Sequence, residues 1–198
     1  MGKARVLILG HSFIRRLRDH IASSQDHGYN AKFGISTPEF FCKWHGVGGR
    51  TIAKVVKYDL GAVKDFGPDI IILQLGSNDL VDSSALTVGS HLEDLVVLLH
   101  DHYKVDLICV CQTLRRSSSE VVFNKNVNLL TKYLKTVLEP IPYAFFWSHR
   151  GFWNTKSQLL SRDGVHLNGR GQHKLYRSMR GAVLKCLRLL DNISVPIF

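Results

Sequence analysis

Apolar residues fall into two rhythms along this chain. Short, strongly apolar runs occur at Val6-Leu7-Ile8-Leu9, Ile70–Leu75 and Val105–Cys111, interrupted only by Gln74 and Asp106. Between them, apolar residues recur at helical spacing: Ile14, Leu17 and Ile21; Ile52, Val55, Val56 and Leu60; Val122, Val127, Leu130, Leu134 and Val137. A run without polar alternation suits a strand covered on both faces, as in a parallel sheet. The pattern predicts strands at Arg5–Leu9, Ala31–Phe33, Trp44–Val47, Ile70–Leu75, Val105–Cys111 and Tyr143–Trp147. It predicts helices from Ile14 to about Ser24 and over Thr51–Leu60, Leu92–His102, Val121–Leu138 and Asn168–Leu190. Thr37–Trp44 reads as a loop leading into its strand, and His149–Arg162 as a long loop. Strand and helix alternate throughout, so the expected fold is α/β, with a parallel sheet of about five strands between two helical layers. No repeat or linker divides the chain. We expect one domain over residues 1–198, with its core at about 5–190 and a tail at 191–198.

In such a sheet the strand-to-helix turns all meet at one edge, where open α/β sheets place their ligand sites. Four short stretches fall there: Gly10-His11-Ser12, Gly46-Val47-Gly48-Gly49, Gly76-Ser77-Asn78-Asp79 and Asp163-Gly164-Val165-His166. Serine at a helix start is often only a cap. A convergent histidine changes that reading, because a serine hydroxyl becomes a nucleophile when a base lies within reach. His166 supplies the base. Asp163, three residues earlier, can hold the imidazole by its other nitrogen. The Ser12 backbone N–H, an N–H of the glycine turn and the Asn78 amide are candidate donors to an oxyanion. Phe152, Trp153, Leu159 and Leu160 precede the Asp/His turn and are candidates for an acyl pocket or simply for packing.

Taken in order, these blocks resemble the SGNH hydrolases, the GDSL-type esterases and lipases. Gly10-His11-Ser12-Phe13 matches the nucleophile block, Gly46-Val47-Gly48-Gly49-Arg50-Thr51 the glycine block, Gly76-Ser77-Asn78-Asp79 the Gly-x-Asn-Asp block and Asp163-Gly164-Val165-His166 the Asp-x-x-His block. The resemblance spans Val6 to about Leu175. It implies a flavodoxin-like three-layer α/β/α sandwich and ester hydrolysis through an acyl-enzyme, without cofactor or metal. It assigns Ser12, Asp163 and His166 to the triad, and Ser12, Gly49 and Asn78 to the oxyanion hole, with Gly48 the neighbouring alternative to Gly49. Two positions depart from the family pattern. His11 replaces the usual Asp of Gly-Asp-Ser, and Arg50 stands where many members carry Asp, which would add positive charge near the mouth.

Charge and cysteines refine the picture. There are 26 Lys and Arg against 16 Asp and Glu, a formal charge of +10. That balance favours acidic partners, with RNA and anionic membranes as candidates beside the acyl-ester or lipid substrate. No run of 18 apolar residues suggests a membrane span. No secretion signal is recognisable at the start, and Cys42, Cys109, Cys111 and Cys186 read as free thiols, so the expected compartment is the cytoplasm. No His or Cys spacing suits zinc. The Gly-His-Ser-Phe start and the basic balance are most similar to the esterase domain of the first open reading frame of LINE-type (non-LTR) retrotransposons. Two alternatives stay open: an RNA- or membrane-binding module on this fold, and a carbohydrate acetylesterase.

Overall fold

A computed structural model describes residues 3–24, 29–36, 38–117, 120–152 and 158–193 of the chain, the side chain of the last excepted. The strands are β1 (Ala4–Gly10), β2 (Phe40–Gly46), β3 (Ile70–Gln74), β4 (Leu107–Cys111) and β5 (Ala144–Trp147). The helices are α1 (Ser12–Ser23), α2 (Ile52–Tyr58), α3 (Leu60–Phe66), α4 (Ala85–Asp101), α5 (Val121–Leu138) and α6 (Gly169–Ile193). The sheet runs β2-β1-β3-β4-β5 and every pairing is parallel.

The apolar runs are explained by a sheet buried on both sides. Val6 and Ile8 of β1, Ile70 and Ile72 of β3 and Cys109 of β4 pack with α1 and α6. Their alternates Leu7, Leu9, Ile71, Leu73, Ile108 and Val110 pack with α2 to α5. All of these side chains are at most 1% exposed. The result is the expected three-layer α/β fold. The strand order reverses between β1 and β3, which opens a crevice at the carboxyl ends of those two strands.

Two glycines bring α1 onto the sheet edge. A Cβ on Gly46 would lie 2.3 Å from the Arg15 backbone nitrogen. One on Gly10 would lie 2.6 Å from the Gln74 carbonyl oxygen and 2.7 Å from Ile14. The first turn of α1 therefore rests directly on backbone.

Several elements differ from the sequence pattern. Ala31–Phe33 is a turn rather than a strand, because the Asn30 side-chain oxygen accepts from the N–H groups of Lys32 and Gly34. The apolar character of Phe33 instead serves a cluster with Trp44 and Tyr176. β2 begins earlier than expected, at Phe40. The predicted helix over Thr51–Leu60 breaks at Asp59 and resumes as α3. α4 starts at Ala85 rather than Leu92, where the Ser84 hydroxyl caps it by accepting from Thr87 N–H. α6 runs to Ile193, into the expected tail, and residues 194–198 lie outside the described residues.

A buried polar relay crosses the strand ends. His149, fully buried, donates through Nε2 to Gln74 Oε1 at 2.8 Å, and its Nδ1 accepts from the Ser178 hydroxyl at 2.8 Å. Trp147 donates to the same hydroxyl, while Gln74 and Gln112 bond across β4 and the strand-end backbone of His149. These bonds pin β3, β4, β5 and α6 to one another beneath the turns.

Candidate active site

The turn before α6 is built by one carboxylate. Asp163 Oδ1 accepts from the backbone N–H groups of Val165 and His166, each at 2.9 Å. Its Oδ2 accepts from His166 Nδ1 at 2.7 Å. A short bridge between Leu160 and Leu167 closes the turn behind them. The bond to His166 and the two backbone bonds hold the Asp163 carboxyl down to about 2. With Nδ1 engaged as donor, His166 Nε2 carries the lone pair of the neutral ring and can take a proton.

Ser12 opens α1 on the β1 side of the crevice. Its neighbour Phe13 meets the His166 imidazole edge-on, with ring centroids 6.1 Å apart. His11, on the other side, is 1% exposed and caps α1 by accepting from Phe13 N–H at Nδ1, at a long 3.5 Å. Burial first, then the charges of His166 and Arg116, pull the His11 pKa down to about 3. His11 is therefore neutral, carries its proton on Nε2, and caps α1 without bringing a charge to the helix start. Among the described residues the His166 ring bonds to Asp163, and no hydrogen bond joins it to Ser12 Oγ. The Ser12 N–H likewise meets no acceptor there, as expected for a first-turn donor.

The third wall comes from the glycine turn and the turn after β3. Asn78 Nδ2 donates to the Arg50 carbonyl at 2.7 Å, which leaves its second amide hydrogen open. Gly49 has φ +70, a conformation costly for any side chain, and its N–H has no acceptor among the described residues. Asp79 joins the two turns from below by accepting from Ile52 N–H at 2.9 Å. Burial raises the Asp79 pKa.

Arg50 differs from its expected place. It folds inward onto Asp59, with Nε to Oδ2 at 2.8 Å and Nη2 to Oδ1 at 3.1 Å. His45 joins the same carboxylate at 3.0 Å. Its charge is balanced inside the turn and does not add to the mouth. Asp59 is 3% exposed and holds the glycine turn against α2. No local sequence signal marked it, since it sits where a continuous helix was expected.

Leu160 lies directly behind the Asp163–His166 turn, paired with Leu167. Phe152, Leu159 and Leu160 pack on the α6 side of the core, with Phe152 against His149 at 5.9 Å. Trp153 lies outside the described residues. Among the described residues, no group of three His, Cys, Asp or Glu side chains could hold a metal ion, and no helix is long and apolar enough to cross a membrane.

No protein-family model matches the chain, and no curated protein matches it by sequence. Solved structures do match it in fold. A serine-to-alanine variant of an acetyl esterase, crystallised with acetate, aligns over 97% of this chain and 100% of its own, with TM-score 0.68 at 14% identity. An acetyl xylan esterase aligns over 90% of this chain and 99% of its own, with TM-score 0.66 at 19% identity. A GDSL-like lipase from Bacteroides thetaiotaomicron aligns over 92% of this chain and 88% of its own, with TM-score 0.64 at 14% identity. What this chain shares with them is the five-stranded α/β fold of the SGNH hydrolases.

Proposed function

We propose that the chain is a serine ester hydrolase acting through Ser12, His166 and Asp163. The observation that carries this reading is the Asp163–His166 bond, with Nε2 left free, at the same sheet edge as three open donors. Ser12 Oγ attacks the acyl carbon while His166 Nε2 takes its proton. Asp163 holds the imidazole and balances the imidazolium. The carbonyl oxygen becomes an oxyanion between the N–H groups of Ser12 and Gly49 and the Asn78 amide. Collapse expels the alcohol, protonated by His166, and leaves an acyl-Ser12 ester. Water, activated by the same histidine, then releases the acid.

Acetyl and other short acyl esters, those of lipids and saccharides included, form the substrate class. The fold neighbours named for acetyl and acetyl-xylan esters support it. Gly10-His11-Ser12-Phe13 and the basic charge support the finer placement in a retrotransposon-encoded, cytoplasmic protein. The test is hydrolysis of p-nitrophenyl acetate by wild type and Ser12→Ala. Wild type should turn over and the variant should lose at least about a thousandfold in kcat. Equal rates would end the reading.

A further inference from the structure

The loop between β4 and α5 places an arginine among the site segments that the reaction above does not use. Arg116 reaches the Ser77 carbonyl with Nη2 at 3.4 Å, one residue from Asn78. The next residue, Ser117, donates its N–H to the Gly164 carbonyl at 2.8 Å, one residue from Asp163. The charge of Arg116 is felt at His11, one residue from Ser12. The guanidinium thus lies where the nucleophile, oxyanion and base segments meet.

The loop is built to hold it there. Asn124 clamps the backbone on both sides: its Oδ1 accepts from Arg116 N–H at 3.0 Å, and its Nδ2 donates to the Arg116 and Ser117 carbonyls at 3.3 and 2.9 Å. The guanidinium carbon stacks 3.9 Å above the Phe123 ring, which fixes the plane of the fork. Yet the cation is not satisfied. Its Nε is buried without a hydrogen-bond partner, and among the described residues no carboxylate lies within ion-pair distance. Arg50, by contrast, has Asp59. An arginine that is half-buried, oriented and without a counter-ion presents a fork shaped for a planar or tetrahedral anion.

We propose that Arg116 is the specificity group of the site and selects esters that carry a negative charge, a carboxylate or a phosphate, close to the scissile bond. The inference rests on the Ser12 esterase reading and adds the substrate's charge to it. The anion sits in either the acid or the alcohol part of the ester, and the two are separable.

The experiment compares kcat/KM within two matched pairs. Mono-p-nitrophenyl glutarate against p-nitrophenyl valerate places the charge in the acid part. 4-Acetoxybenzoate against phenyl acetate places it in the alcohol part. Wild type should favour the charged member of one pair, and Arg116→Gln should lower that charged-to-neutral ratio by about 10- to 100-fold, mainly through KM. The pair that responds identifies the part that carries the charge. A second measurement needs no variant. Glutarate or inorganic phosphate should inhibit wild-type hydrolysis of p-nitrophenyl acetate competitively, beyond sodium chloride at equal ionic strength. Hydrolysis with ratios unchanged in the variant, or no specific inhibition by either anion, overturns the role of Arg116 alone. No hydrolysis of any of the four esters overturns the esterase reading, and this one with it.

Discussion

Asn78 and Arg50 are joined by a 2.7 Å hydrogen bond from the Asn78 side-chain amide to the Arg50 carbonyl oxygen. The amide is thereby fixed in rotation, with one hydrogen held by the glycine turn and the other directed away from it. A donor pre-oriented in this way stabilises developing charge without reorganising. Asn78→Ala should lower kcat on p-nitrophenyl acetate by about a hundredfold while KM changes little. A fall in KM-dependent binding alone would show that Asn78 positions substrate and does not meet the oxyanion.

Asp163 has two tasks, and an amide can perform only one. Its Oδ1 accepts two backbone N–H groups, which asparagine can also do. Its Oδ2 accepts from His166 Nδ1, where an NH2 group would oppose the ring proton. Asp163→Asn should keep the turn but favour the wrong imidazole tautomer, lowering kcat by about 10⁴-fold with the melting temperature little moved. Steady-state rates and thermal melts on the same samples separate the two tasks.

His11 sets an acid limit on stability. Its pKa falls from 6.5 to about 3 on folding, chiefly through burial. Between those values the unfolded chain binds a proton that the folded chain refuses. Its stabilising effect is therefore complete above about pH 6.5 and fades as pH falls toward 3. At pH 5 the loss is about 2 kcal/mol relative to neutral pH. Asp163, held at about 2 rather than 3.8, enters only at lower pH. Urea unfolding at pH 7.5 and 5.0 should show this loss in wild type, and His11→Asn, whose side chain can cap α1 without titrating, should show much less of it. Equal losses in both proteins would exclude His11 as the source.

Asp59 is a buried carboxylate held by the Arg50 guanidinium and by a hydrogen bond with His45 Nε2. Removal of Arg50 leaves that charge with the histidine alone. Arg50→Ala should cost about 3 kcal/mol in denaturant unfolding, and adding Asp59→Ala should recover part of it. If the two losses simply add, the pair is not coupled.

The sheet was legible because Val6–Leu9, Ile70–Leu75 and Val105–Cys111 carry their burial in their composition. The four site blocks were legible for a related reason: each follows a strand or opens a helix, and parallel topology gathers such turns at one edge. What escaped the sequence depends on partners distant in the chain. Asp59 interrupts a helix for the sake of Arg50, nine residues away, and of His45 on β2. Phe33 looked like part of a strand but turns to meet Tyr176, more than a hundred residues on. Arg116 could be placed at the edge by its position after β4, but its clamp by Asn124 and its missing counter-ion required coordinates.

Gly10 and Gly46 let the start of α1 seat on main chain rather than on side chains. The height of Ser12 above the sheet is thus a property of the backbone. Substitutions that repack the interior further along α1, around Leu17 and Ile21, leave that seat in place, whereas Ile14, whose side chain rests on Gly10, belongs to it. The position of the Ser12 hydroxyl is thereby decoupled from most of the core beneath it.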